Sequence, residues 1–369
     1  MQDVSPAEAV DLGMEALLPQ QLAPDVWRIP VPVPFAIHSV NVYLLRGDGR
    51  GGGTGAGWLM VDAPLASRRS EAALLDGMAR AGIQDTEITA IVLTHGHPDH
   101  MGAVGEWQRR SGAPVYLLGL EAQMITRVWA DSSNAAMLEA ARALAANGMP
   151  GDEAQRLVTQ TAQLRGAMAP PEHVSVLAHG QHPHLAGGQY RVLWTPGHAD
   201  GHLSLLREDG LFVAGDHVLL GMTPTVGWYP WSRRDPLADH LTSLTAIADL
   251  PVRLVLPGHG HAFTDLRARA NELCGIHARM TAAVARRLAD APDGVNAFTL
   301  AEHLHPARWR WPDARRLAMA ETVAHLEHLR HLGRAERMRD ASGNVLYRRT
   351  AEGMSPDVIQ DDPPARASA

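Results

Sequence analysis

The sequence predicts a layered α/β domain followed by a smaller helical one. Three observations carry this expectation. Between Val26 and about Phe263, short apolar β-rich runs alternate with helical stretches and turns. Several of those runs end in a small or turn-forming residue followed at once by histidine or aspartate. Past Asp265 the pattern changes to arginine-rich helix.

In chain order, Val26–Val31, Val40–Leu45 and Trp58–Val61 read as strands, the last two separated by the turn-forming run Gly47–Gly57. Ser67–Arg80 reads as a helix, with Ser67 as N-cap, apolar Leu74, Leu75 and Met78, and Gly82 as its stop. Ile88–Leu93, Val115–Leu118, Tyr190–Trp194, Leu203–Arg207, Leu211–Ala214 and Arg253–Leu256 read as further strands. An alanine-rich insert, about 131–169, has helical periodicity, and we expect two helices packed on the sheet. Leu266–Leu288 is one long helical pattern. Thr299–His303, Ala314–Gly333 and a hairpin of Ala335–Arg339 and Val345–Arg349 then outline a winged helix. The expected organisation is an N-terminal arm (1–20), an α/β domain (21–265), a helical linker with a winged-helix-like domain (266–350) and a disordered tail (351–369).

Composition narrows the class. Of 369 residues, 46% are apolar and 20% charged, enough for a sizeable core. The net charge of −7 argues against wholesale nucleic-acid binding. All 33 basic residues are arginine, so chemistry that needs a lysine is excluded. Cys274 stands alone, which rules out an intrachain disulfide and a cysteine-rich metal site. No run approaches the roughly 20 apolar residues of a membrane span, and the acidic N-terminus is unlike a secretory signal. A cytoplasmic protein without a membrane partner is expected.

The chemistry-bearing stretch is Thr94-His95-Gly96-His97-Pro98-Asp99-His100, directly after the apolar run Ile88–Leu93. Imidazole nitrogen and carboxylate oxygen are standard ligands of zinc and related metals. With 20 histidines in the chain, one cluster could be a histidine-rich surface turn. Recurrence at other strand ends argues against that. Tyr190–Trp194 runs into Thr195-Pro196-Gly197-His198, Leu211–Ala214 into Gly215-Asp216, and Arg253–Leu256 into Pro257-Gly258-His259. A rigid sheet fixes the origins of such loops, which makes strand ends natural sites for chemistry.

The order His-x-His-x-Asp-His, then His, Asp and His, resembles the metallo-β-lactamase superfamily over roughly Val26 to Phe263. The resemblance implies a four-layer αββα sandwich binding two divalent metals, zinc first, with iron or manganese as alternatives. By position, His95, His97 and His198 would hold one metal and Asp99, His100 and His259 the other, with Asp216 bridging both. Asp62, at the end of Trp58–Val61, would support the ligand loop, as metal sites require. His202 and His261 are expected in the same supporting role, and His217 and His240 as supporting or surface histidines. The antibiotic-degrading members place a cysteine among the ligands, whereas here the matching feature is Asp216. The match is therefore better to the branch of hydroxyacylglutathione hydrolases, lactonases and nucleases. Gly96 stands where the diiron flavoproteins of the superfamily carry glutamate, which argues against oxygen reduction.

The implied reaction is hydrolysis by a metal-bridging hydroxide, with Asp99 and Asp216 as catalytic residues and an acyl ester or thioester as the small-molecule substrate. Trp228, Tyr229 and Trp231 are read either as core packing or as an apolar substrate pocket. Two alternatives are carried: an endoribonuclease on single-stranded RNA that uses the arginine-rich module, and a metal-binding sensor without turnover. Between Ile276 and Thr350 there are 13 arginines against 8 acidic residues. That surface would contact phosphate, pack on the α/β domain, or pair two copies of the chain.

Overall fold

A computed structural model describes residues 18–35, 37–47 and 57–351. The arm up to residue 17, most of the Gly47–Gly57 turn and the tail from 352 lie outside these residues. Two sheets form the centre. The first has seven strands in sequence order: β1 (Gln20–Ala23), β2 (Val26–Pro32), β3 (Ser39–Leu45), β4 (Trp58–Val61), β5 (Ile88–Val92), β6 (Val115–Leu118) and β7 (Val174–Leu177). Strands β1 to β4 pair antiparallel and β4 to β7 parallel. The second sheet runs β12-β11-β10-β9-β8, from β8 (His184–Leu185), β9 (Gly188–Trp194), β10 (Leu203–Arg207), β11 (Leu211–Gly215) and β12 (Leu254–Pro257).

Burial explains the layers. Every residue of β3 and β4 is buried, as a strand covered on both faces must be. Between the sheets Val26, Tyr43, Leu59 and Val92 meet Tyr190, Leu203, Val213 and Leu256. On the outer face of the first sheet, α1 (Arg68–Ala81) and α3 (Val104–Ser111) bury Leu74, Met78 and Trp107 against Ile29, Val42 and Ile91. Helix α1 begins where the Ser67 hydroxyl accepts the Ser70 N–H and ends at Gly82, whose φ of 68° suits glycine. The outer face of the second sheet takes α7 (Pro236–Ile247) and the first half of α8 (Leu266–Ala289), through Leu244, Leu266 and Leu273 against Phe212 and Val255. The sandwich is therefore αββα.

The insert forms α5 (Ala135–Ala146) and α6 (Gly151–Gly166). Its packing differs from expectation. Met137, Ala140, Leu144, Leu157 and Val158 bury not on a sheet but against Val284, Leu288, Met319 and Val323. The reason is that α8 continues past the second sheet. With α9 (Ala297–Leu304), α10 (Pro312–His331) and the hairpin β13 (Ala335–Arg339) and β14 (Val345–Arg349), it builds a helical module whose apolar face needs a cover. The insert supplies it, each buried Leu or Met side chain contributing about 1.5–3 kcal/mol. Among the described residues, no helix is long and apolar enough to cross a membrane.

Candidate metal centre

Chain ends of β4, β5, β9, β11 and β12 meet at one rim of the sandwich, and each delivers a polar side chain. After β5 the chain leaves through Thr94, and α2 (Pro98–Met101) starts with Pro98 at its first position and His97 as N-cap. This brief helix turns Asp99 and His100 back toward the loop. The sequence-matched residues converge. His95, His97 and His198 form one group of potential ligand atoms, His95, His100 and Asp216 a second, and Asp99, His100 and His259 a third, each within 4.8 Å.

The hydrogen-bond network fixes which ring nitrogen faces inward. The Nδ1–H of His198 donates to Thr225 O at 2.9 Å, that of His259 to Ser39 O at 2.6 Å, and that of His100 to Asp62 Oδ2 at 2.8 Å. Thr94 gives its hydroxyl proton to Asp62, so its oxygen accepts from His95 Nδ1 at 3.0 Å. Each of these four rings thus turns an Nε2 lone pair to the centre, and His97 presents Nδ1 instead. His97 Nδ1 lies 2.8 Å from His95 Nε2 and 2.9 Å from His198 Nε2. With His97 Nδ1 unprotonated, three nitrogens converge at that spacing, and a shared cation would take up their lone pairs. Asp216 Oδ1, buried and without a hydrogen-bond partner among the described residues, is a further orphan that a cation would satisfy. The residues present therefore fit a divalent metal.

Asp216 sits between the groups. Its Oδ2 lies 3.2 Å from His259 Nε2 and 3.5 Å from both His100 Nε2 and His198 Nε2. Burial opposes the carboxylate charge, but His259 and His100 outweigh it and hold Asp216 well below the usual carboxylate range. Burial and the neighbouring imidazoles keep His95 well below the ordinary histidine value and bring His97 down to about 3, so both stay neutral and ready to ligate. Gly258 is required at its position: a Cβ there would stand 2.2 Å from Asp216 Oδ1 and 2.8 Å from His100 Cε1.

The expected supporting residues divide. Asp62, with a φ of 62°, accepts from Thr94 N at 2.7 Å as well as from His100. His202 is fully buried; its Nε2 accepts the Asp216 N–H at 3.1 Å and its Nδ1–H donates to Thr195 Oγ1 at 2.8 Å. His261 is different. It is exposed, and its ring lies 3.4 Å from Arg28 Nη1 rather than on the ligand cluster, because Gly260, with a φ of 75°, turns the chain away after His259. His217 and His240 are buried, not on the surface, in a file of rings that runs from His202 through His217 and His240 to His277 and His325.

Trp228, Tyr229 and Trp231 side with packing. Tyr229 and Trp231 stack at 5.2 Å, Trp228 N donates to Ala320 O at 3.0 Å, and all three pack against the helical module. The loop that carries them does touch the centre, through the Thr225 carbonyl on His198.

The structure adds several contributors to the sequence-matched residues. Asn41 Nδ2 donates to Pro257 O and Gly260 O, both at 2.9 Å, and Tyr43 OH to Pro257 O at 2.8 Å, so β3 grips the His259 loop. Glu121, on α4 (Gly119–Met124), is buried between the His95 and His198 loops, and burial pushes its carboxyl up to about 7. Trp129 Nε1 donates to Gly96 O at 2.9 Å. Asn41 carried a signal, as a lone polar residue inside an apolar strand. Glu121 and Trp129 carried none.

A two-sheet αββα sandwich with histidines and aspartates gathered at one rim defines a metal-dependent hydrolase fold, and comparison with known proteins gives the family. The model of the metallo-beta-lactamase superfamily matches residues 37–259, and the chain belongs to that superfamily. A metallo-beta-lactamase family protein from Thermus thermophilus is 34% identical, with a TM-score of 0.77, over 89% of this chain and 100% of that one. That cover reaches well beyond residue 259, into the helical module. The probable metallo-hydrolase YqjP of Bacillus subtilis is 27% identical over 323 residues, 83% of this chain and 92% of its own. The atrochrysone carboxyl ACP thioesterase of Aspergillus fumigatus is 24% identical over 259 residues, 68% of this chain and 61% of its own. These relatives indicate a hydrolytic enzyme.

Proposed function

We propose that the chain is a binuclear metal hydrolase of acyl esters or thioesters, with Asp216 shared between two metal positions. The observation that carries this reading is the placing of one oxygen, Asp216 Oδ2, within 3.2–3.5 Å of ring nitrogens from both flanking groups. His95, His97 and His198 would hold one divalent cation and Asp99, His100 and His259 the other. Imidazole and carboxylate donors suit zinc, with iron or manganese as alternatives. Bound there, such a pair polarises an acyl carbonyl and lowers the pKa of water from about 15.7 to about 7.

The chain's own residues do the rest. Asp99, partly exposed at 14%, would accept a hydrogen bond from the attacking water and orient it. Asp62, Thr225 and Ser39 hold the outer protons of the ligating histidines, so no ring has to turn when a metal arrives. Asp216 supplies negative charge where the cations would sit.

The acyl reading draws support from a relative named as an acyl-carrier-protein thioesterase. We propose the winged-helix outline for α9, α10 and the β13–β14 hairpin, in a packing role. Several of its arginines are paired within the fold. Arg308 pairs with Glu321 at 2.7 Å, Arg315 with Glu153 at 3.2 Å and Arg330 with Glu327 at 2.7 Å, while Arg316 donates to Tyr229 OH at 3.0 Å. Paired with carboxylates, Arg308, Arg315 and Arg330 offer less to a phosphate backbone.

The test is an assay of zinc- or manganese-loaded protein against acyl-thioesters and single-stranded RNA at two salt concentrations. Thioester turnover that is indifferent to salt and to substitution of Arg315 and Arg316 is expected. Salt-sensitive RNA cleavage lost with those arginines would replace this reading with the nuclease. Metal binding without turnover of any acyl substrate would leave a sensor.

A further inference from the structure

Glu121 belongs to none of the ligand groups, yet it touches two of the loops that carry them. Its Oε1 accepts the Gly96 N–H at 2.7 Å, and Gly96 lies between His95 and His97. Its Oε2 accepts the Gly201 N–H at 3.1 Å, three residues beyond His198. The carboxylate is 3% exposed. A buried carboxylate is costly unless it is fully hydrogen-bonded, and here each oxygen is given to a different loop.

Two glycines make the approach feasible. A Cβ at Gly96 would stand 2.9 Å from Ile125 Cγ1 and 3.1 Å from Glu121 Oε1, and one at Gly201 would stand 2.5 Å from Glu121 N and 2.7 Å from its Oε2. The other end of the Gly96 residue is held as well, because the Trp129 indole N–H donates to the Gly96 carbonyl at 2.9 Å. Trp129 follows Glu121 on the same helical run, in the π-helical turn Ile125–Ala130 that continues α4. Its ring packs against both the first-sheet core and the helical module. The backbone between His95 and His97 is thus gripped at its N–H and its C=O from one run, and the same carboxylate reaches across to the His198 loop.

We propose that Glu121 is a positioning residue that sets the spacing of His97 and His198, with Trp129 as the second jaw of the clamp. The inference rests on the binuclear reading above. It predicts that Glu121 acts on the His95–His97–His198 position and not on the position of Asp99, His100 and His259. No such selectivity follows if the carboxylate only fills a buried gap.

The experiment is a zinc titration of the full-length protein in a chelator buffer, on native chain, Glu121→Ala, Glu121→Gln, Trp129→Phe, His97→Ala and the Glu121→Ala/His97→Ala double variant. The melting temperature of each metal-free form is read alongside. Native protein is expected to take up two zinc ions. Glu121→Ala should weaken one binding step by about 10- to 100-fold and leave the other unchanged. Glu121→Gln, which keeps one acceptor oxygen, should fall between, and Trp129→Phe should lose less than Glu121→Ala. The double variant should bind no more weakly than His97→Ala alone, since both changes disable the same position. Unchanged affinity for both ions in folded Glu121→Ala or Trp129→Phe, or equal weakening of both steps, overturns the proposal. Fewer than two zinc ions on the native chain overturns the binuclear reading first, and this inference with it.

Discussion

Asp62 Oδ2 lies 2.8 Å from His100 Nδ1, on the opposite side of the imidazole from Asp216. The same carboxylate accepts the Thr94 N–H at 2.7 Å and the Thr94 hydroxyl, through which it also orients His95. One side chain at the end of β4 therefore sets the tautomer of two histidine rings beyond the end of β5. Asp62→Ala is expected to lower zinc affinity about 10- to 100-fold. It also strands the buried Thr94 N–H, at a cost of about 1–3 kcal/mol. Alanine is strained at a φ of 62°, whereas asparagine tolerates it, so Asp62→Asn should recover stability without full affinity. Zinc titration and thermal melts on both variants check this.

Substitution in the cluster should separate chemistry from folding. Asp216→Ala and His97→Ala are expected to abolish turnover while the far-ultraviolet circular dichroism stays native. Either variant turning over substrate with a full metal complement would falsify its part in the reaction.

Gly258→Ala tests the close packing behind the cluster. A Cβ 2.2 Å from Asp216 Oδ1 has to move that carboxylate or the His259 loop. A misplacement of about 1 Å in a reacting array costs on the order of 100-fold in rate. Turnover at saturating zinc is the readout, and a rate within twofold of native would mean that the loop yields without cost.

Chelation should destabilise the fold, because only the folded chain brings these donor atoms together to bind a cation. An ion held at a hundredfold excess over its Kd contributes about 2.7 kcal/mol. The melting temperature is expected to fall on metal removal and to recover on addition of zinc. A melting curve unmoved by chelator and zinc alike would count against any metal at this site.

His325 gives a pH dependence away from the ligands. Burial pushes its pKa down to about 3, against partial opposition from Glu321 and with help from His277, His328 and His305. The folded state therefore keeps it neutral where the unfolded chain, at about 6.5, binds a proton. Its contribution to stability is complete above pH 6.5 and is lost as the pH falls toward 3. Metal-free native protein should lose up to about 1.4 kcal/mol more per pH unit than His325→Gln below 6.5. Urea unfolding of both chains at pH 7 and pH 5 gives the comparison, and parallel slopes would contradict it.

Periodicity and turn residues were enough to place most of the sandwich. Val115–Leu118 and Leu203–Arg207 begin and end where the structure has them, and Ser67 and Gly82 bound α1. Other elements escaped. β7 is only four residues long, Val-Ser-Val-Leu, and β8 has two, too short for their patterns to stand out. α7 did carry a start signal, Asp235 capping Ala238 N behind Pro236.

The candidate ligands were legible because they follow apolar strands at short range, and local order along the chain carries that information. Their supports were not. Glu121 is 25 residues from Gly96 and 80 from Gly201, and nothing near it in the sequence says which backbone amides it will meet. The insert shows the same limit at a larger scale. Its helices could be read from their own apolar spacing, but an amphipathic face does not name its cover, and only the continuation of α8 past the sheet put the helical module there. By itself, then, the sequence carried the layered α/β pattern and the strand-end histidines and aspartates. Tertiary structure alone decided which lone pairs converge, what holds them and what the aromatic loop packs against, since those depend on distances between residues that no local pattern encodes.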